Sequence, residues 1–290
     1  MVTYKAPTRT LQSGLILREY ESAGSVLEGE IEASPACASD IISRYKEICR
    51  PAWAGFQGEV SDMRAAVRSE IAQGWPEGAR IIEAAREGLS VALRSAKSLR
   101  PKIAGGYSSG FDPFVPGLLQ GRPDNWRQWE PRKRLTGSKG VTIIADTSAA
   151  AYYASDSLVW SGAVALILAD MLTTAGYTVE IKACSTVGTD TGNKRVCSMA
   201  TVKRAEDPLN IDGLASVLVS PRFYRVGMLP LCWTFEGIRC SLGGGHVDSI
   251  RKGEIEEIYP NAIHVPRVFG LNAARALLVT EIDRINGGES

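Results

Sequence analysis

Hydrophobic and polar positions change their spacing repeatedly along this 290-residue chain, and each change marks an element. Val141, Ile143, Ile144 and Ala145 form a short apolar run that ends on Asp146, which predicts a buried strand. Leu, Val, Ala and Ile dominate residues 157–174, about five helical turns, and predict a helix packed on most of its sides. Gly176 is placed to end that helix, and residues 177–183 then alternate apolar and polar like a second strand. Strand, helix and strand in this order predict a βαβ unit. Asp146, Thr147 and Ser148 fall just past the carboxyl end of its first strand, where open α/β sheets hold their ligands.

The rest of the pattern divides into stretches with different periods. Residues 1–35 are mixed and predict an N-terminal arm or hairpin, with strands near 14–20 and 25–32. Residues 36–100 carry helical spacing, with helices predicted over 39–49, 59–73 and 77–99 and breaks at Pro51, Gly74 and Pro101. Residues 101–140 are punctuated by Gly105, Gly106, Gly110, Gly117, Gly121, Pro113, Pro116, Pro123 and Pro131, which predicts a long connecting segment without regular structure. Its aromatic content is unlike that of a disordered linker, so it is expected to pack along the body of the fold. The 141–290 region predicts an α/β domain. After the βαβ unit come a hairpin (177–184 with 195–204), helices over 211–219 and 221–235, a loop over 236–257, a short strand over 262–265 and a closing helix over 270–286. The fold class expected is α/β, with a mixed, mostly parallel sheet flanked by helices and preceded by a small helical module.

Composition narrows the function classes. With 33 basic and 32 acidic residues the net charge is +1, so no global field points to a nucleic acid or a membrane, and any such surface must be local. No apolar stretch reaches the roughly 18 residues of a membrane span, and no signal-peptide core follows Met1, so a cytoplasmic protein is expected. The six cysteines form no C-x-x-C pair, and with two histidines they argue against structural zinc. Cys184 and Cys197 face one another across the predicted hairpin and read as reduced core thiols rather than a disulfide.

Local chemistry offers two candidates. Trp126, Arg127, Trp129, Arg132, Lys133, Arg134 and Lys139 place aromatic rings beside cations within a short stretch. Rings stack on bases and cations track phosphates, so this pattern points to single-stranded nucleic acid, although Asp124 and Glu130 dilute it. The other reading of the same stretch is a loop anchored by its tryptophans with a solvated basic face. The second candidate is the Asp146 loop, whose plainer role is to cap the following turn. Catalytic readings are weaker. His246 follows three glycines and precedes Asp248, but no nucleophile accompanies the pair; His264 on an apolar strand reads as a satisfied core residue. Neither a Walker loop nor a dinucleotide fingerprint is present, and no enzyme activity is expected.

Asp146-Thr147-Ser148-Ala149-Ala150 resembles the first metal-binding loop of von Willebrand factor A-type domains, whose pattern is D-x-S-x-S. The surrounding order of strand, loop, long helix, G-Y-x-V strand and reversed strand is similar too, and the likeness covers about residues 141–286. The resemblance implies a Rossmann-like domain that could hold Mg²⁺ through Asp146 and Ser148, with Asp207 as a second carboxylate and Thr186 or Thr189 as a further oxygen. Ala150 departs from the pattern, so a degenerate site and no cofactor is the default implication. The G-W-P-E-G turn at 74–78, the G-G-Y segment at 105–107 with F-V-P-G-L-L-Q-G-R-P-D-N-W at 114–126, and D-P-L-N-I-D-G-L-A at 207–215 resemble uncharacterised phage-encoded proteins with the same helical-plus-A-like plan. A looser similarity is to single-stranded-DNA-binding RNA polymerase cofactors of phages. These resemblances imply a non-enzymatic phage protein acting in the cytoplasm of the infected cell. It would bind single-stranded DNA, with a phage RNA polymerase or replication protein as partner and no membrane. An A-like protein–protein adaptor or a virion component is the alternative, and homo-oligomerisation is left open.

Overall fold

A computed structural model describes residues 6–28, 62–95, 103–107, 112–113, 126–129, 140–148, 155–188, 194–232 and 247–287. The described elements are built on one mixed sheet. Its strands are β1 (Thr8–Thr10), β2 (Leu15–Tyr20), β6 (Gly140–Asp146), β7 (Thr178–Gly188), β8 (Arg195–Lys203), β9 (Val247–Asp248) and β10 (Ile263–Val265). Six of them lie in the order β1-β2-β8-β7-β6-β10, and β9 pairs with β7. The expected βαβ unit and hairpin are present: β6 and β7 are parallel, joined through α4 (Ser155–Thr174), and β7 and β8 are antiparallel.

The expected excess of parallel pairing is corrected. β2/β8, β6/β7 and β6/β10 are parallel, whereas β1/β2, β7/β8 and β7/β9 are antiparallel, so the two kinds are equal. The hairpin reverses the chain at β8, and β2 then aligns with the reversed strand rather than with β6. The N-terminal stretch does form a hairpin at the edge of the sheet, but it joins β1 to β2 rather than β2 to the residues that follow it. Residues Ala23–Glu28 are instead a short helix, α1, and β2 is an inner strand between β1 and β8.

Each face of the sheet has its own core, as the two-residue period of a strand requires. On one face Ile143, Ala145, Ile181, Ala183, Val196 and Ala200 meet a thick helical layer. That layer contains α1, α2 (Met63–Gln73), α3 (Pro76–Ser95), α4 and α5 (Ile211–Leu218). It also contains α6, a helical run over 221–232 with a π-helical stretch at Tyr224–Met228, and α8 (Leu271–Gly287). Val67, Ile82 and Leu89 of α2 and α3, in the stretch expected to form a helical module, belong to this same core. On the other face Leu15, Leu17, Ile144, Cys184, Cys197 and Met199 meet Ile250 and Ile255, the latter on α7 (Lys252–Ile258). All of α7 but its last residue lies inside the stretch expected to be loop.

Local signals explain where these helices begin and end. Asp62 caps α2 by accepting from the Ala65 amide at 2.9 Å, and Asn210 caps α5 by accepting from the Gly213 amide at 3.3 Å. Gly176, with φ +91°, ends α4, where the Tyr177 amide returns to the Leu172 carbonyl at 3.0 Å. Ala163 to Ala169 of α4 are all buried, because α3, α5 and α8 surround the helix where it crosses the sheet. The predicted helix over 39–49 lies outside the described residues.

The long Gly- and Pro-rich segment is not devoid of regular structure. It contributes β3 (Ile103–Tyr107), β4 (Asp112–Pro113) and β5 (Trp126–Trp129), a separate antiparallel sheet in the order β3-β5-β4. Pro113 stands on an edge strand of this sheet, the position where proline is tolerated.

Candidate functional site

Asp146 ends β6 in register with Cys184 of β7, so its side chain belongs to the thinner face of the sheet. It is 1 % exposed, Ser148 is 2 % and Thr186 is 0 %. The Ser148 amide donates to Asp146 Oδ1 at 2.9 Å, and the Thr186 amide donates to Ser148 Oγ at 2.8 Å. Thr147 ties the loop to β7 by donating its amide and hydroxyl to the Cys184 carbonyl at 2.9 and 3.0 Å. These bonds leave Asp146 Oδ2 and Thr186 Oγ1 buried without a hydrogen-bond partner. Such atoms cost about 1–3 kcal/mol each, so their presence together calls for an explanation. Burial pushes the Asp146 carboxyl above its usual range, and the Ser148 hydrogen bonds, the charge of Arg267 and the nearby Ser249 hydroxyl pull part of the shift back.

A strap formed by residues 247–251 lies across this end of the sheet. β6 stops at Asp146, and β9 takes over the line beyond it, with Asp248 opposite Thr186 and Val247 opposite Val187. The Arg195 guanidinium holds the strap: Nε donates to Asp248 Oδ2, Nη1 to Glu254 Oε1 and Nη2 to the Ser249 carbonyl. The buried Glu254 also accepts from Ser13 Oγ and the Arg251 amide, each at 2.8 Å. Arg267, in the turn after β10, donates through Nε to Ser249 Oγ at 2.7 Å. The strap is thus fastened to β8, to the β1–β2 turn and to the β10–α8 turn around the Asp146 cluster.

The residues suggested for a metal site are only partly brought together. Asp146, Ser148 and Thr186 meet. Asp207 does not: it is exposed in the turn after β8, where Oδ2 accepts from the Arg204 amide at 3.1 Å. Because β8 runs against β7, the end of β8 lies at the opposite edge of the sheet from Asp146. Thr189 and Ala150 lie outside the described residues. Among the described residues no group of three or more His, Cys, Asp or Glu could hold a metal ion. What the site does offer is oxygen: one carboxylate atom and one hydroxyl without partners, the Ser148 hydroxyl beside them, and Ser249 on the strap. An all-oxygen set with a single carboxylate fits a hard ion such as Mg²⁺, which keeps several waters of its own. Arg267 opposes a further positive charge, so the binding expected of such a site is weak.

Other candidates resolve differently. Asp248 is bound to Arg195 and to its own neighbour's amide, Ser249 N, at 2.8 Å, so its carboxylate is already engaged; His246 lies outside the described residues. His264 sits on β10, but its Nε2 is buried without a partner, and desolvation lowers its pKa to about 4, so it is not the satisfied core histidine expected. Cys184, Cys197 and Cys232 are free and buried, in keeping with reduced core thiols. Ser249, Arg195 and Arg267 carry no sequence signal for the Asp146 site, because each joins it from a distant segment with no motif around it.

The aromatic-basic segment is described only in part. β5 carries Trp126, Arg127 and Trp129 as the middle strand of the small sheet. Its register sets Trp126 opposite Tyr107 on one side and Pro113 on the other, a row of ring-bearing residues across three strands. Arg132, Lys133, Arg134 and Lys139 lie outside the described residues.

A family model described as a domain of unknown function, DUF7192, matches residues 11–282, so the chain belongs to that family. No curated protein and no solved structure matches the chain.

Proposed function

We propose that this member of the DUF7192 family is a non-enzymatic phage protein that binds single-stranded nucleic acid as a cofactor of transcription or replication. The observation that carries the reading is the Tyr107–Trp126–Pro113 row across the small antiparallel sheet. Two of these three residues, Tyr107 and Trp126, are aromatic, and aromatic residues on adjacent strands suit single-strand recognition, because each base has a face to stack and unpaired bases are free to reach it. The basic run from Arg132 to Lys139 follows the same strand in sequence and supplies the phosphate contacts. An electrophoretic mobility shift with a single-stranded oligonucleotide tests the idea. Binding should weaken as salt rises, Trp126→Ala should reduce affinity about tenfold, and Arg132→Ala should flatten the salt dependence. Absence of binding at low salt refutes the reading.

The Asp146 cluster supports a second reading, that of a von Willebrand A-like adaptor. The strand-loop-helix-strand order and the reversed β8 are compatible with that plan, and the two unpartnered oxygens suit a Mg²⁺-assisted contact with a partner's carboxylate. Asp146, Ser148 and Thr186 would hold the ion, and the ion would supply a positive contact point at the carboxyl edge. Mg²⁺ calorimetry on the wild type and on Asp146→Ala separates the readings, since a protein indifferent to Mg²⁺ rules this one out.

A further inference from the structure

We infer that Ser249 supplies the hydroxyl oxygen that Ala150 cannot, so that the cation site is completed from the strap rather than from the loop after β6. This rests on the cation reading of the Asp146 cluster. The A-like pattern takes its second hydroxyl from the position now held by Ala150, which has no oxygen to give. The Ser249 hydroxyl faces the same carboxyl and is held there by independent tethers. Its carbonyl accepts from Arg195, its amide donates to Asp248 Oδ1 at 2.8 Å, and its hydroxyl accepts from Arg267 at 2.7 Å. The strand pairing of Asp248 with Thr186 fixes the residue before it against β7.

The donor set is then four oxygens. Asp146 Oδ2 and Thr186 Oγ1 are buried and unpartnered. Among the described residues Ser148 Oγ accepts the Thr186 amide and Ser249 Oγ accepts the Arg267 Nε, and both hydroxyls also face the Asp146 carboxyl. A hydroxyl oxygen has two lone pairs, so Ser148 and Ser249 each keep one for an ion. Arg267 becomes a positioning residue: it fixes the hydroxyl of Ser249, as groups behind a ligand commonly do. Arg195 positions the whole strap through Asp248, Glu254 and the Ser249 carbonyl. Neither arginine touches the ion in this arrangement. The site spans β6, β7 and β9, which explains why no contiguous motif marks it.

The experiment is a titration of the full chain with Mn²⁺, followed by electron paramagnetic resonance, together with Mg²⁺ calorimetry. The variants are Ser249→Ala, Ser249→Thr, Ser249→Cys and Asp146→Ala, with melting curves in chelator as the control for folding. Ser249→Ala should weaken Mn²⁺ and Mg²⁺ binding at least tenfold, and Ser249→Thr, which keeps the hydroxyl, should restore most of it. Ser249→Cys should turn the preference toward Cd²⁺ and give a thiolate-to-cadmium absorption band that the wild type, with the same native cysteines, lacks. A merely structural role for Ser249 would not create that band. If the wild type binds through Asp146 while Ser249→Ala binds equally well and Ser249→Cys shows no band, the Ser249 inference is overturned and the Asp146 site stands. If the wild type does not bind, or Asp146→Ala binds as well as the wild type, the cation reading and the inference fall together.

Discussion

Asp146 carries opposite demands from folding and from binding. The carboxylate is buried, and desolvation raises its pKa above the ordinary value. A raised carboxyl pKa means that the folded state holds its proton more tightly than the unfolded chain. The stability this gives is present below the unfolded pKa, roughly 4, and is lost as pH rises through the folded value. At neutral pH the burial of this carboxyl is therefore a burden on the fold in the absence of a cation. Asp146→Asn keeps the acceptor for the Ser148 amide and removes the charge. It should raise the melting temperature at pH 7 in chelator by a few degrees, on the order of 2–4 °C per kcal/mol, with the gain vanishing near pH 4. Melts at the two pH values check this; an Asn variant less stable at pH 7 would show that the carboxylate is satisfied after all. The position of Asp146 was legible in the sequence, because an apolar run ending on an acidic residue is a local signal. Its surroundings were not: Thr186, Ser249 and Arg267 reach it only through strand register and strap placement.

Elements were legible where one period held long enough to decide. The α4 pattern survived because apolar residues cover most of its circumference, and β7 and β8 survived because a polar turn separates two strand-like runs. β3, β4 and β5 were hidden by the glycines and prolines that punctuate them, since turn chemistry between two- to five-residue strands outweighs their own short pattern. α7 was hidden for the opposite reason: Ile255 and Ile258 are its only apolar side chains, too few to set a helical period. One contact between elements deserves a direct test. A Cβ on Gly162 of α4 would stand 2.0 Å from the Leu218 carbonyl oxygen at the end of α5, so the two helices approach through the glycine. Backbone cannot swing aside as a side chain can. Gly162→Ala should cost about 1–3 kcal/mol or more despite alanine's better helix propensity, whereas Gly253→Ala on the open side of α7 should be neutral or stabilising. Chemical denaturation of both variants measures the difference, and equal midpoints would mean that α4 and α5 separate freely.

At the scale of the molecule, the sequence divided what the structure joins. Charged and polar residues between 1 and 35 made the N-terminus look peripheral, yet Leu15 and Leu17 are fully buried on one face of the sheet, and Val26 and Leu27 pack on the other. β2 pairs along six positions of β8, from Leu15 opposite Arg195 to Tyr20 opposite Ala200. That strand is the lateral neighbour of the hairpin on which the Asp146 site depends, and Arg195 begins β8 at the same place. Ser13, in the turn before β2, also holds Glu254, the residue that Arg195 needs as a partner. Deleting residues 1–28 would thus expose the ladder edge of β8, open both cores and release one fastening of the strap. An N-terminal arm would be removed without loss of the fold; an inner strand would not. The truncated chain should lose its cooperative melt and aggregate, as an unpaired apolar strand edge does. If it instead melts cooperatively and keeps the circular dichroism of the remainder, β2 contributes little and the sheet is complete at β8.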